Sequence, residues 1–365
     1  MEYLYKPDWE RTKKMFEAYW HQANEERCLL SIRYTKDQSL IQPLTSKGSS
    51  MSLEDFWLDT ETVMNRYLHY FENTYFAAES LPVANIFLGP GVTASYLGSP
   101  YILGERTIWF DHIIEDWEKD KIEFDENSFM WQKTLELTQR AVELGKGKFF
   151  VDQTDLSGVM DILAHLRGAQ PLLYDLVDSP DEVKAARDKV LEIWFKCVNR
   201  LYDITKPGND GGSLSWMQVW SPGICHALQC DFAAMISPAM FEEFVMPEIQ
   251  EQCRKMPYSI FHVDGPGMLP HIDLLLEIKE LNAIQWQPGA GQPKPVEWPD
   301  VLKKIQAKGK SLHEWGSCRE ALDMLDYLSP KGLYFDVRGT LDSKEETDAF
   351  VKEVERKCRS KRRQL

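Results

Sequence analysis

Residues 258–268 read Tyr-Ser-Ile-Phe-His-Val-Asp-Gly-Pro-Gly-Met. An apolar run delivers His262 and Asp264 on one side, two residues apart, because side chains on a strand alternate faces. A Gly-Pro-Gly turn then ends the run, and an amphipathic helical pattern opens at Met268. The same unit, a short β-branched or apolar run followed by a longer helical stretch, recurs along the chain. Eight runs carry it: residues 28–33 (CLLSIR), 83–88 (VANIFL), 148–152 (KFFVD), 213–219 (SLSWMQV), 258–262 (YSIFH), 283–286 (AIQW), 311–315 (SLHEW) and 333–336 (LYFD). Helical patterns cover 53–75, 129–144, 179–204, 238–255, 268–278, 298–307, 319–328 and 343–359, several opened by Ser-Pro or by Ser followed by acidic residues. Parallel strands need helical crossovers, so eight alternations predict one (β/α)8 TIM barrel over residues 1–365 with an N-terminal helical extension. An open doubly wound sheet is the rival. It expects a G-x-G-x-x-G turn after the first strand, which Gly89-Pro90-Gly91 does not supply. The longest insertion, residues 97–125, follows the second strand. Its aromatic residues Tyr101, Trp109, Phe110, Trp117 and Phe124 predict a wall or lid over the barrel mouth.

The chain of 365 residues suits a single barrel, and 43% hydrophobic against 27% charged residues provides a large core. A net charge of -15 argues against nucleic acid and anionic lipid, both of which need a basic footprint. The polar start has no apolar signal region, and no stretch approaches the roughly 18 apolar residues of a spanning helix. Seven scattered cysteines, an odd number, read as reduced thiols and a cytoplasmic location. The basic tail 357–363 reads as a solvated helix end.

Polar residues at the carboxyl ends of barrel strands face the catalytic mouth. That rule nominates Arg33, Asp152 with Asp155, Gln218, His262 with Asp264, Gln285, Glu314 and Asp336. His262 and Asp264 could act as an acid–base pair or a metal site, or could simply tie the turn and cap the helix. His313 and Glu314 face opposite ways. Glu314 is taken inward and His313 under the helices, a choice that turns on one residue of register. Gln285 and Trp286 adjoin a Gly-rich loop that reads either as an anion cradle or as a tight connection. Cys225 and Cys230 lack the second pair of a structural zinc site and read as space-filling thiols. Trp216, Trp220, Trp286 and Trp315 predict flat apolar pocket walls suited to an aromatic ligand or, through cation–π contact, a methylated amine.

Residues 229–247 (QCDFAAMISPAMFEEFVMP), with Phe261-His262-Val263-Asp264-Gly265-Pro266, resemble the uroporphyrinogen decarboxylase-like superfamily, which includes corrinoid-dependent methyltransferases. The stretches 148–178 and 331–339 also fit, so the likeness spans nearly the whole chain. It implies a (β/α)8 barrel with its site at the top, and a homodimer by analogy. The decarboxylases carry R-Q-A-G-R after the first strand. Here residues 32–37 read Ile-Arg-Tyr-Thr-Lys-Asp, so only Arg33 survives and porphyrinogen chemistry is disfavoured. The methyltransferases hold zinc with H-x-C and a distant Cys. Here His262 matches, Asp264 stands at the Cys position, and residues 334–341 contain no Cys. The resemblance thus implies a zinc site of His262 and Glu314 with Asp264 nearby.

On this reading the protein is a methyltransferase moving a methyl group between a small methylated donor and a corrinoid. His262, Asp264, Glu314 and Asp336 do the chemistry, and Arg33, Asp155, Trp216, Gln218, Gln285 and Trp286 hold the substrate. No D-x-H-x-x-G segment occurs, so the corrinoid belongs to a separate partner protein. The alternatives are a decarboxylase or lyase acting on a small non-porphyrin acid, and a non-catalytic binding barrel.

Overall fold

The computed structural model describes residues 2–35, 47, 51–339, 341 and 343–362. Lys36, Asp37 and Arg363, named above, lie outside the described residues. The chain is a mixed α/β protein built on a mostly parallel seven-stranded sheet. In chain order the strands are β1 (Leu29–Thr35), β2 (Thr74–Ala78), β3 (Val83–Ala84), β4 (Tyr101–Leu103), β5 (Ile108–Phe110), β6 (Phe150–Val151), β7 (Ala227–Gln229), β8 (Ile260–Asp264), β9 (Ala283–Gln287), β10 (Ser311–Gly316) and β11 (Leu333–Val337). The sheet runs β2-β1-β11-β10-β9-β8-β7, with only β2 antiparallel. Strands β3 and β6 pair parallel by themselves, and β4 and β5 form an antiparallel hairpin.

Alternation along the strands sorts their side chains into two layers. Leu29, Val83, Phe150, Ala227, Ile260 and Ala283 meet in an inner cluster, to which the isolated pair β3–β6 contributes alongside the main sheet. Leu30, Ala84, Val151, Leu228, Phe261 and Ile284 face the helices. The N-terminal helix Trp9–Trp20 lays its apolar stripe against the inner cluster. Phe16 sits edge-on to Tyr334 at 5.7 Å, and the Tyr19 hydroxyl donates to the Leu312 carbonyl. Among the described residues, backbone ladders leave the pair β3–β6 unjoined to the sheet edges, with seams between β2 and β3 and between β6 and β7. Just past β2 the Glu79 amide donates to the Leu30 carbonyl, and at the second seam the Gln229 side-chain amide donates to Asp155.

Seven of the eight expected strand runs contain a strand, though in 83–88 and 148–152 it is only two residues long. The run 213–219 does not. It makes only isolated bridges, Gln153 to Ser215 and Ser213 to Ser221, because Gln218 takes a left-handed φ of 56° and folds the segment back on itself. The strand beside β8 is instead Ala227–Gln229, three residues flanked by Cys225, His226 and Cys230. Its brevity hid it from the period-two pattern. The stretch read as one helix over 53–75 is two helices, Leu53–Leu58 and Thr60–Glu72, followed by β2. Asp59 divides them by capping the second, its Oδ1 accepting from the Thr62 amide at 2.8 Å. Ser317 and Glu320 form a reciprocal capping box on helix Cys318–Tyr327. Among the described residues no helix is long and apolar enough to cross a membrane.

Candidate active site

The strand register aligns Gln229, His262, Gln285 and His313 in one row across β7 to β10, with Tyr334 next on β11. Residues level in a parallel ladder share a face, so these side chains form one continuous polar surface. His262 Nδ1 lies 2.6 Å from Gln285 Oε1, and Gln285 Nε2 lies 3.4 Å from His313 Nδ1. Burial drives the His313 pKa down to about 4, so its ring is neutral near pH 7 and its Nδ1 can accept from the amide. The amide oxygen is then turned toward His262. An oxygen only accepts, so His262 must donate from Nδ1, which leaves Nε2 as a bare lone pair in the neutral ring. The Trp216 ring stands edge-on to the His262 ring at 5.1 Å.

At the next level Asp336 on β11 binds Arg33 on β1 at 2.7 Å. Burial raises the Asp336 pKa, but the Arg33 guanidinium, with His313, Ser31 and Arg338, outweighs it and holds the carboxyl below its ordinary range. Asp155, after β6, accepts from the Ser157 amide at 2.8 Å and from the Gln229 side chain at 3.2 Å. Burial pushes it up to about 7, against the Ser157 hydrogen bond and with Asp231 adding repulsion. Asp231 is open to solvent yet crowded by protein and by Asp161 and Asp264, and its pKa rises to about 6.

A cavity of about 390 Å³ is lined by residues of β1, β2 and β3 and of the helix Thr60–Glu72. It falls within the roughly 300–1,000 Å³ of small-molecule sites. Four expected substrate residues line it: Arg33, Asp155, Trp216 and Gln218. Gln218 owes its place to its left-handed backbone, the feature that also broke the expected strand. Two further arginines line the cavity and had no signal in the strand pattern. Arg66 comes from helix Thr60–Glu72, its guanidinium 3.9 Å from the centre of the Phe56 ring. Arg106 comes from the turn of the β4–β5 hairpin, within the insertion. A charge on a helix face or a hairpin turn reads as solvated surface until the tertiary fold turns it inward.

Several expected site residues lie elsewhere. Glu314 is fully buried on the helix-facing side of β10, where Oε1 accepts from the Trp286 amide at 3.3 Å and burial lifts its pKa far above the usual carboxylate range. His313 holds the inward position, so the parity chosen for this strand was off by one residue. Trp286 packs outward against Trp298 at 5.2 Å and does not reach the cavity. Trp220 is buried in the inner cluster, edge-on to Trp9 at 5.2 Å, while Trp315 donates to Gln287 and stacks under Arg338. Asp152 is buried and bonds the Ile86 amide. Cys225 and Cys230 are buried unpaired thiols, and the His226 ring is occupied by the Thr154 and Ala227 carbonyls.

His262 and Glu314 lie on opposite faces of the sheet and cannot share one ion. Among the described residues no three His, Cys, Asp or Glu side chains gather as metal ligands. The side chains present do not fit the zinc site that the resemblance implied.

No protein-family model matches the chain, and no curated protein matches it. Among solved structures the chain is similar to a methyltransferase from Methanosarcina mazei. The two are 12% identical, with a TM-score of 0.60, over 94% of this chain and 98% of that chain. Likeness at that identity extends to the fold: this chain shares the α/β architecture of that methyltransferase.

Proposed function

We propose that the strands curl into a (β/α)8 barrel and that the protein is a cytoplasmic methyltransferase. It would move a methyl group between a small methylated donor and a corrinoid carried by a separate partner protein. The observation that carries this reading is the meeting of Arg33, Asp155, Trp216 and Gln218 in one aromatic-walled cavity beside the His262 row. The likeness in fold to a methyltransferase supports it. The corrinoid would supply the methyl acceptor. The chain's own residues do the rest. Arg33, held by Asp336, and Gln218 orient the donor. The donor heteroatom keeps the electron pair of the bond that breaks and needs a proton, which Asp155, half protonated near pH 7, is placed to deliver. His262 Nε2 is a second proton acceptor on the same face. The hairpin bearing Arg106 would cover the donor and exclude water.

The test is formation of methylcobalamin from cob(I)alamin, followed by absorbance, with methylated amines, methanol and methoxybenzoates as donors. We expect one donor class to react, and His262→Ala and Asp155→Asn each to slow it by roughly 10²–10⁴-fold. No methylcobalamin from any donor, with release of CO₂ from a small acid instead, would overturn this reading in favour of a lyase using Arg33. A homodimer belongs to the same reading, and sedimentation of the purified chain decides it.

A further inference from the structure

The cavity is far richer in hydrogen-bond donors than in acceptors. Arg33, Arg66 and Arg106 approach it from three separate elements: a strand, a helix and a hairpin turn. Arg106 is exposed and forms no ion pair among the described residues. Trp216 adds a fourth donor: its indole Nε1–H is buried at the cavity wall without a hydrogen-bond partner. A buried orphan N–H costs free energy unless a ligand satisfies it. The carboxylate on this wall, Asp155, is held partly neutral by burial. Around these donors stand the flat faces of Phe56, Trp57, Tyr67 and Phe87. Guanidinium groups match carboxylates in shape and charge; Arg33 is already paired with Asp336, so it is chiefly the Arg106 charge that a carboxylate would meet and a quaternary ammonium would be repelled by.

We infer that the cavity selects a small planar carboxylate, its anionic end held by Arg106 and the Trp216 N–H and its ring laid against the aromatic walls. Methylated amines, which the aromatic lining by itself would suit, are excluded by the arginines. That this anion is also the methyl donor rests on the methyl-transfer reading. The binding preference does not.

The experiment is calorimetric titration of the 365-residue protein with benzoate, 3-methoxybenzoate, benzyl alcohol and benzyltrimethylammonium. We expect the two carboxylates to bind at least tenfold more tightly than the neutral and cationic probes. Arg106→Gln, at an exposed position, should weaken benzoate about tenfold with no change in Tm. Trp216→Phe, which keeps the ring and removes the donor, should weaken it severalfold. Equal or tighter binding of the cation, or unchanged benzoate affinity in Arg106→Gln, would overturn the inference. Carboxylate binding without methyl transfer from 3-methoxybenzoate would leave the inference standing and count against the methyl-transfer reading. Methyl transfer from amines alone would do the reverse.

Discussion

Asp155 illustrates how a common side chain acquires an uncommon state. Its carboxyl is buried next to the seam between β6 and β7, and two further carboxyls, Asp231 and Asp161, stand close enough to disfavour its charge. Burial leads in raising it to about 7, and the Ser157 and Gln229 hydrogen bonds limit the rise. Its folded pKa lies above the ordinary value, so the neutral form persists to near pH 7 and is lost as pH rises through that point. An anion in the cavity then meets a new negative charge. Benzoate affinity is therefore expected to hold steady between about pH 5 and pH 6, above the titration of benzoate itself, and to fall between about pH 6 and pH 8. In Asp155→Asn it should stay flat across that range, as titration calorimetry at several pH values would read. Asp155 was legible in the sequence as a polar residue just past a strand. Its protonation was not, because it depends on Asp231 and Gln229, more than 70 positions away.

The strands set the chemistry one level up. The row Gln229, His262, Gln285 and His313 exists because four parallel strands share a register, and the row rather than any member fixes the His262 tautomer. Gln285→Leu should release it. Nitrogen-15 spectra of labelled histidine, assigned with His262→Ala, are expected to show a single Nδ1–H tautomer in the wild type and a mixture in the variant. A single unchanged tautomer in Gln285→Leu would refute the lock. Alternation made one face of each strand readable, but in β10 the pattern Ser-Leu-His-Glu-Trp places a polar group on both faces. Only pairing with β9 and β11 decides that His313 faces in. The second seam depends on Gly158. A Cβ there would lie 2.1 Å from the Gln229 carbonyl oxygen and 2.7 Å from Asp161 Oδ2. Gly158→Ala is expected to destabilise the protein by about 1–3 kcal/mol, since backbone must move to admit it. Urea unfolding measures this, and a midpoint shift should accompany an unchanged slope.

At the scale of the molecule, distant parts of the chain are tied together at the amino ends of the strands. Arg27 makes a two-pronged contact with Glu79 at 2.6 and 2.9 Å, both side chains almost fully buried, and Glu79 also accepts from the Leu30 amide. Glu355 of the C-terminal helix Lys344–Arg362 approaches Arg27 at 3.8 Å, and Lys6 bonds the Ala78 carbonyl nearby. Removing one partner strands a buried charge, so Glu79→Ala is expected to cost about 3–5 kcal/mol, while Arg27→Met with Glu79→Leu should recover most of it. Thermal melts of the single and double variants check this. A double variant as unstable as the single would mean the ion pair holds the fold by more than mutual neutralisation.

The sequence by itself determined the repeating β/α unit, seven of the eight anticipated strand positions, most helix spans and the polar residues at strand ends. Each of these follows from local periodicity and capping, which neighbouring residues set. Tertiary structure alone decided the rest. It replaced 213–219 with Ala227–Gln229 as the partner of β8, turned Glu314 and Trp286 away from the cavity, and brought Arg66 and Arg106 to the same cavity as Arg33. A strand's inward face and a surface arginine's destination depend on pairing and packing with segments far along the chain, and no local pattern encodes that.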